Sequence, residues 1–335
     1  MKSTNKYNYI ILGSEWDLYR IAFSDLKDYP NVKYVAGMFP PRNTLKGMLY
    51  RIHFNPKINN IINLPLKKLW IPTYFDDDFP EPRQLCFIIF RSWLIFNPEL
   101  IDFISRKYPT AKIVVTLFDL MSKSINGYKK ILDGKWLKNN CDLVTSFDQS
   151  DCEKYGFTYH PLVMSEYRSF DSPNIPESDV YMLAMAKDRL TDIYGIYESL
   201  KAAGLKVDMI LGGVRKENRK YCDDIKYLDG QMMSYSENLA HVVRTKCILE
   251  VMQKGGTGYT QRACEAVVYG KKFLTNNCMI STAPFYNPQY ISQFTTAKNL
   301  DKEFIKQIPK RACVDYSYKE NMSPTKLLDF IEAKL

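Results

Sequence analysis

Residues 247–275 read Cys247-Ile-Leu-Glu250-Val-Met-Gln-Lys254-Gly-Gly-Thr-Gly258-Tyr-Thr-Gln-Arg262-Ala-Cys-Glu265-Ala-Val-Val-Tyr-Gly270-Lys-Lys-Phe-Leu-Thr275. An apolar run, a glycine-rich loop, a helical pattern, a glycine stop and a second apolar run follow one another, which predicts a strand–loop–helix–strand unit. The loop lets a ligand approach the backbone, and the helix N-terminus behind it offers unpaired N–H groups to phosphate. Arg262 and Glu265 are three residues apart and therefore share one helix face. The pattern fits either a phosphate site or an ordinary helix start with an ion pair.

Short apolar runs alternate with helical patterns on both sides of this unit. Strand-like runs lie at residues 9–13, 85–90, 112–117, 141–146, 179–186 and 207–211. Helical patterns lie at residues 98–107, 189–203 and 236–244. Strands that alternate with helices form parallel βαβ units, whose ligands bind at the carboxyl ends of the strands. We therefore predict the α/β class, with two doubly wound, Rossmann-like domains that face each other across a cleft.

The domain boundaries follow from a proline- and serine-rich stretch near the middle of the chain. The chain has 335 residues, enough for two domains with full cores. We expect an N-terminal domain over residues 1–165, a linker over 166–178 and a C-terminal domain over 179–322. An N-cap serine followed by a proline then predicts a last helix over residues 323–335.

Composition narrows the class of protein further. With 46% hydrophobic and 25% charged residues, the chain is expected to be globular rather than disordered. The formal charge of +9 suits anionic partners in general. The eight cysteines include no C-x-x-C pair, which favours reduced thiols, and the three histidines are far apart, which disfavours a zinc site. Neither a secretory signal nor a membrane span is evident, so we expect a soluble, cytoplasmic protein.

Three segments together resemble a known family. They are Gly255-Gly-Thr257-Gly258-Tyr-Thr260-Gln-Arg262-Ala-Cys-Glu265-Ala266 with Lys271-Lys-Phe-Leu-Thr275-Asn-Asn277, Asp142-Leu-Val-Thr-Ser-Phe147-Asp148-Gln-Ser-Asp151-Cys-Glu-Lys-Tyr155-Gly156, and Ala186-Lys187-Asp188-Arg189-Leu190. They resemble motifs of GT-B-fold glycosyltransferases that build bacterial capsule, exopolysaccharide and lipopolysaccharide-core glycans. The resemblance spans about residues 85–280. It implies a GT-B architecture, with an acceptor-binding N-terminal domain and a C-terminal domain that binds a nucleotide-sugar donor.

The resemblance also implies a donor site, composed of Lys187, Arg189, Thr257, Gly258, Thr260, Arg262 and Glu265. Lys187 and Arg189 would hold the diphosphate, and the residues from Thr257 to Thr260 would line it. Glu265 would accept from ribose or sugar hydroxyls. Basic side chains that meet the charge of the leaving group imply that no metal cofactor is required, and a UDP-sugar is the expected donor. Many retaining members carry Glu eight residues before Glu265, where this chain has Thr257, so inversion or retention stays open.

A catalytic base is expected on a loop after a strand of the first domain. A carboxylate there could accept the proton of the acceptor hydroxyl. Asp17 is the preferred candidate and Glu15 the second, because both follow the first strand; Asp119 follows a later strand. Each could instead cap a helix, which is common for Asp after a strand.

The acidic run Asp76-Asp77-Asp78 contains the D-x-D pattern with which GT-A glycosyltransferases hold Mn²⁺. It stands between aromatic residues and Pro80, which favours a solvated acidic loop. We therefore assign no metal site to it.

The stretch from Lys33 to Trp70 contains seven Lys and Arg residues and no acidic residue. Leu45, Met48, Leu49 and Ile52 recur within it at helical spacing. Such a stretch suits an anionic membrane surface or a polyprenyl-diphosphate acceptor. Alternatively, the apolar stripe packs on the core of its own domain. No nucleic-acid motif accompanies the charge.

The sequence therefore predicts a glycosyltransferase of the hexosyltransferase class that uses a nucleotide-sugar and acts on a saccharide or lipid-linked saccharide. It would work in the cytoplasm or as a peripheral protein on the inner face of a bacterial membrane. Two alternatives stay open. One is a nucleotide- or anion-binding protein without turnover, and the other is a peripheral membrane adaptor.

Overall fold

The computed structural model describes residues 6–37, 44–62, 64–122, 132–169, 174–230, 233–253, 257–310 and 313–335. The chain divides into two compact units. The first unit contains Met1–Pro161 and Pro324–Leu335, and the second contains Leu162–Ser323. The predicted linker residues thus fall within the second unit, and the last helix belongs to the first. Lys254, Gly255 and Gly256 of the predicted glycine loop lie outside the described residues, as do residues 38–43 of the basic stretch.

The first unit is built on a parallel sheet. Its strands are β1 (Tyr7–Leu12), β2 (Val32–Val35), β3 (Gln84–Phe90), β4 (Lys112–Leu117), β5 (Leu143–Ser146) and β6 (Thr158–Tyr159). Their order in the sheet is β2-β1-β3-β4-β5-β6. The helices in between are α1 (Asp17–Ala22), α2 (Leu45–His53), α3 (Pro56–Asn59), α4 (Arg91–Phe96), α5 (Leu100–Lys107), α6 (Gly134–Asn140) and α7 (Gln149–Tyr155). All six residues of β1 are buried, as expected for a strand with both sheet faces covered.

The second unit repeats this plan. Its strands are β7 (Ser178–Met185), β8 (Val207–Gly212), β9 (Ile225–Leu228), β10 (Thr245–Glu250), β11 (Lys272–Thr275) and β12 (Ile291–Gln293). They form a parallel sheet in the order β12-β11-β10-β7-β8-β9. The helices are α8 (Leu190–Ala202), α9 (Tyr235–Arg244), α10 (Gln261–Val268), α11 (Lys302–Gln307) and α12 (Lys319–Met322). The chain ends in α13 (Pro324–Lys334), which completes the first unit.

Local sequence signals explain where several helices begin and end. The Asp148 side chain accepts hydrogen bonds from the N–H groups of Ser150 and Asp151 and so caps α7. Ser234 and Glu237 form a reciprocal capping box at the start of α9. Gly204, with φ of 78°, follows α8 in the left-handed conformation that glycine favours.

Strand order reverses at one point in each sheet, between β1 and β3 in the first and between β7 and β10 in the second. Ligands of doubly wound folds bind at the carboxyl ends of the strands beside such a switch point. The predicted α/β class with two doubly wound units is thus confirmed. No helix within the described ranges is long and apolar enough to cross a membrane.

Candidate functional site

Arg189 bridges the carboxyl ends of β7 and β10, the two strands at the switch point of the second sheet. Its guanidinium donates hydrogen bonds to the backbone carbonyls of Met185 and Val251. The residue is only 9% exposed, and its hydrogen bond to Val251 is buried. Its Nε–H is buried and has no hydrogen-bond partner within the described parts of the chain. The side chain predicted to hold a diphosphate therefore also ties two strand ends together.

Lys187 lies two residues earlier, on the same loop, and is exposed. Its φ of 45° falls in the left-handed region, which disfavours residues with a side chain. Its Nζ lies 3.2 Å from Oε1 of Gln253, a residue that follows β10. The surrounding fold thus holds an exposed cation in a strained backbone conformation at the switch point, a combination that occurs at functional sites.

Arg262 adds a second guanidinium from the first turn of α10. Its Nη2 donates to the carbonyl of Leu183 in β7 over 2.8 Å. Burial lowers the pKa of Arg189, and the positive charge of Arg262 lowers it further. Lys187, Arg189 and Arg262, which we call the strand-end basic cluster, therefore converge on the carboxyl ends of β7 and β10. Like charges held together in this way favour binding of an anion.

Glu250 ends β10 and is buried beneath this cluster. Its Oε1 accepts a hydrogen bond from the hydroxyl of Thr260, and its Oε2 accepts one from the hydroxyl of Thr275 over 2.6 Å. Burial raises the pKa of Glu250, although the two hydroxyls and the nearby arginines oppose that shift. Thr260 is also the N-cap of α10, because its Oγ1 accepts from the N–H of Arg262. Glu250 thus fixes the start of the helix that carries Arg262.

Glu265 lies one turn further along α10 and is 1% exposed. Its Oε1 accepts hydrogen bonds from Tyr235 Oη at 2.9 Å and from Asn238 Nδ2 at 3.0 Å, both on α9. Burial raises the pKa of Glu265, and the charge of Arg262 opposes the shift. Burial alone would lower the pKa of Arg262, but negative charge, led by Glu265, raises it. Arg262 and Glu265, which were predicted to share one helix face, therefore also interact electrostatically.

The remaining predicted donor residues stand between β10 and α10. Thr257 is half-buried and Gly258 is buried. The carbonyl of Gly258 accepts a hydrogen bond from Asn277 Nδ2 at 3.1 Å, which ties the loop to the segment after β11. Gly255 and Gly256, on which the predicted phosphate loop also depends, lie outside the described residues.

A cavity of about 370 Å³ opens at the ends of β7, β8 and β9, next to the strand-end basic cluster. Met185 belongs to both regions, because its carbonyl binds Arg189 and its side chain lines the cavity. Gly212 and Gly213 form another wall, and a Cβ on Gly212 would come within 2.4 Å of the Met185 sulfur. An ion pair between Arg219 and Asp229 stands at the rim. The cavity thus lies next to the strand-end basic cluster. Its wall at Gly212 has no room for a larger side chain.

The proposed catalytic carboxylates lie in the first unit. Asp17 begins α1 after β1 and is half-buried, and its Oδ1 accepts from the N–H of Leu18 at 3.0 Å. Glu15 is exposed on the loop before it. Across the switch point, buried Arg91 follows β3 and donates to the carbonyl of Met121 at 2.8 Å. Burial lowers the pKa of Arg91, and the charge of Asp119 opposes this. Acidic and basic groups therefore occur together at the carboxyl ends of the strands in the first sheet, as they do in the second.

In the described parts of the chain, no group of three or more His, Cys, Asp or Glu side chains is placed to hold a metal ion. Asp76, of the acidic D-x-D pattern, forms an ion pair with Lys33. The hydrogen bond from Lys33 lowers the pKa of the Asp76 carboxyl.

All seven predicted donor residues therefore belong to the second unit, whereas Asp17 and Glu15 belong to the first unit. Sequence reasoning missed Glu250, Tyr235 and Asn238. Glu250 had a usable signal, because a lone carboxylate within the apolar run 247–252 must be paired if it is buried. Tyr235 and Asn238 had none, since their role depends on how α9 packs beside α10.

No protein-family model matches the chain, and no curated protein sequence does. Solved structures are similar to it. A glycosyltransferase from Rickettsia africae ESF-5 is 11% identical with a TM-score of 0.48, and the match covers 98% of this chain and 99% of that one. The lipopolysaccharide outer core galactosyltransferase WaaB is 10% identical with a TM-score of 0.46, covering 99% and 100%.

A third similar structure is TarM, at 10% identity and a TM-score of 0.47. The match covers 75% of this chain, which spans only 54% of the length of TarM. WaaB and the Rickettsia protein are glycosyltransferases, the class that the sequence motifs resemble.

Proposed function

We propose that the protein is a nucleotide-sugar-dependent glycosyltransferase that transfers a hexosyl group to a saccharide or lipid-linked saccharide. The observation that carries this proposal is the strand-end basic cluster at the switch point of the second sheet. Guanidinium and ammonium groups stabilise diphosphate oxygens through charge-assisted hydrogen bonds. Lys187, exposed and strained, is the member best placed to meet a ligand, whereas Arg189 supplies charge while holding the strand ends.

The cavity beside the cluster suits the nucleoside part of the same donor. Its volume of about 370 Å³ falls within the range of small-ligand sites. A nucleotide-sugar has an anionic centre flanked by a base, and the cluster and cavity, which share Met185, offer these environments side by side. We propose a UDP-sugar as the donor and Glu265 as an acceptor of ribose or sugar hydroxyls.

In the proposed reaction, the bond between the anomeric carbon and the diphosphate oxygen breaks. A bond from that carbon to an acceptor oxygen forms, and the acceptor proton passes to a carboxylate. We propose Asp17 for this base, with Glu15 as the second choice, because both follow β1 at the switch point of the first sheet. The departing nucleoside diphosphate keeps the bonding electron pair, and the basic cluster stabilises its charge without a metal ion.

The proposed setting is bacterial surface-glycan assembly in the cytoplasm. The sequence motifs support this setting, because they resemble those of enzymes that build bacterial surface glycans. All eight cysteines are free, including exposed Cys222, Cys278 and Cys313, which fits a reducing compartment.

The decisive experiment screens UDP-, GDP-, CMP- and dTDP-sugars by thermal shift, with and without EDTA. A donor at 100 times its dissociation constant should stabilise the fold by about 2.7 kcal/mol. We expect a UDP-sugar to bind, EDTA to have no effect, and the bound donor to be hydrolysed or transferred. Stabilisation without hydrolysis or transfer would support a nucleotide-binding protein instead. Failure of every nucleotide-sugar to bind would contradict the proposed donor site.

Substitution of Glu265 tests its separate assignment. Glu265→Gln keeps an oxygen for Tyr235 but removes the charge and one hydroxyl acceptor. We expect free UDP to bind this variant about five- to hundredfold more weakly by calorimetry, since each hydroxyl left unpaired costs about 1–3 kcal/mol. The matched variant Tyr235→Phe disturbs the same hydrogen bond from the α9 side and should leave the affinity within threefold. Equal affinities for Glu265→Gln and the wild type would limit Glu265 to a structural role.

A further inference from the structure

The exposed hydrophobic side chains of the protein are concentrated in one short segment. Among the described residues, twelve large hydrophobic side chains are exposed, and nine of them lie between Leu45 and Leu69. Ile61 is the extreme case, at 84% exposed. A scattered exposed side chain needs no explanation, but a continuous set marks an interaction surface. We call this set, with its neighbouring basic residues, the basic apolar face: Leu45, Met48, Leu49, Ile52, Ile58, Ile61, Ile62, Leu66, Leu69, Lys46, Arg51, Lys57 and Lys68.

The exposure is not a sign of missing core contacts, because α2 already packs through its opposite side. Gly47, Tyr50 and Phe54 are buried on that side. The Tyr50 ring stacks on Phe54 at 4.3 Å between centroids and meets the Trp70 ring edge-on at 4.9 Å. The alternative that the stripe of Leu45, Met48, Leu49 and Ile52 packs inward is therefore wrong. The helix is apolar on two sides, and the second side has no cover in the described parts of the chain.

The charge around this face has one sign. Lys46, Arg51, Lys57 and Lys68 are all exposed. No acidic residue occurs between Asp28 and Asp76, and none of the four has an ion-pair partner among the described residues. Basic side chains without an ion-pair partner among the described residues thus alternate along the segment with exposed aliphatic ones. The complementary surface must therefore be both anionic and apolar.

We propose that the basic apolar face docks on an anionic phospholipid bilayer. Its aliphatic side chains would enter the boundary between headgroups and acyl chains, and its basic side chains would stay at the headgroups. A second copy of the chain fits poorly, since a two-fold interface would place these positive charges opposite themselves. The proposal goes beyond sugar transfer, because it requires neither donor nor acceptor.

Vesicle co-sedimentation of the full chain, without nucleotide or acceptor, tests the proposal. We expect binding to vesicles of equal parts phosphatidylglycerol and phosphatidylcholine, and little binding to phosphatidylcholine alone. Binding should weaken as salt rises, because screening shortens the reach of exposed charges. Equal binding to both vesicles, or to neither, would overturn the proposal.

Paired variants locate the contact. Each basic side chain near an anionic surface changes the partition coefficient about fivefold, so Lys46→Gln/Arg51→Gln should lose about 25-fold. The control Lys135→Gln/Lys138→Gln makes the same charge change on exposed positions of α6 and should stay within twofold. Ile61→Ser/Ile62→Ser should lose at least tenfold. Its control, Tyr221→Ser, removes an 82% exposed ring from the second unit and should have no effect.

The same variants separate this proposal from the proposed function. Lys46→Gln/Arg51→Gln should bind free UDP with wild-type affinity and unfold at the wild-type temperature while losing vesicle binding. Equal losses in the face and control variants would mean that net charge alone drives the binding. A concentration-dependent dimer in light scattering that the Ile61→Ser/Ile62→Ser variant abolishes, without vesicle binding by the wild type, would assign the face to a second copy.

Discussion

The strand-end basic cluster and the basic apolar face both collect positive charge, but they hold it in opposite ways. In the cluster, backbone carbonyls of β7 and the β10 end fix the guanidinium groups of Arg189 and Arg262. On the face, basic side chains project from α2 and the following segment without an ion-pair partner in the described residues. Hydrogen bonds to the backbone therefore hold the two guanidinium groups of the cluster, whereas no ion pair among the described residues holds the basic side chains of the face.

This difference matches two kinds of anion. A diphosphate is small and directional, so a site for it gains from donors that are already oriented. A lipid surface is extended and laterally disordered, so independent charges and aliphatic side chains serve it equally well. Positive charge alone therefore does not identify a ligand. A diphosphate site and a lipid-binding surface differ instead in how firmly the surrounding fold holds the charged groups.

The largest effect is expected when a guanidinium group is removed from the strand-end basic cluster. Arg189→Ala leaves the half-buried carbonyl of Met185 and the buried carbonyl of Val251 without their donor, and we expect the free energy of unfolding to fall by about 2–5 kcal/mol. Urea denaturation measures it. Arg215→Ala, which removes an exposed arginine from the same unit, should change it by less than about 0.5 kcal/mol. Similar values for the two variants would show that Arg189 is not a structural bridge.

The next effect separates ligand binding from stability at Lys187. Removal of this charge should weaken UDP binding about ten- to hundredfold, the equivalent of about 1.5–3 kcal/mol for a charge-assisted hydrogen bond. Because φ at this position is 45°, Lys187→Gly should also be about 1 kcal/mol more stable than Lys187→Ala. Calorimetry and thermal unfolding measure the two quantities, with the exposed Lys302→Ala as the control. Retained affinity in both Lys187 variants would contradict the proposed diphosphate contact.

Sequence patterns predicted the central strands well, because these are buried on both faces and read as uninterrupted apolar runs. β4 begins and ends at the predicted residues 112–117, and β11 falls within the apolar run predicted after Gly270. The four edge strands β2, β6, β9 and β12 were missed. They have two to four residues each, and those of β2 are all half-buried, so neither length nor apolarity distinguishes them from loops.

The candidate site was predictable in part. Motif resemblance selected Lys187, Arg189 and Arg262, which the structure brings together at one strand edge. The second role of Arg189 was not predictable, because the carbonyl of Val251, 62 residues further along the chain, meets its guanidinium only after the sheet has formed. The exposed side of α2 was equally undecided. Both of its sides are apolar, and only packing shows which of them the core uses.

A smaller effect is expected at Glu250, the carboxylate buried beneath the strand-end basic cluster. Burial raises the folded-state pKa of Glu250 above its ordinary value of 4.5, so the folded protein keeps a proton that the unfolded chain releases. Stability should therefore fall as pH rises from about 4.5 through the folded-state pKa, by about 1.4 kcal/mol for each unit of difference between the two pKa values. Glu250→Gln cannot ionise and should lack this contribution. We expect wild-type and variant unfolding curves to diverge with rising pH. Parallel pH dependence would show that folding does not change the pKa of Glu250.

The smallest expected effect is on the face, where removal of charge should leave the fold nearly unchanged. Lys46 and Arg51 have no ion-pair partner among the described residues, and their side chains are in water, so their loss removes no buried contact. Surface substitutions of this kind change the free energy of unfolding by less than about 0.5 kcal/mol. Lys46→Gln/Arg51→Gln should therefore unfold in urea like the wild type, or slightly later, because two like charges no longer repel the others of the face. A loss above about 1 kcal/mol would mean that these side chains support the packing of α2. The contrast between fixed charge in the cluster and free charge on the face would then fail.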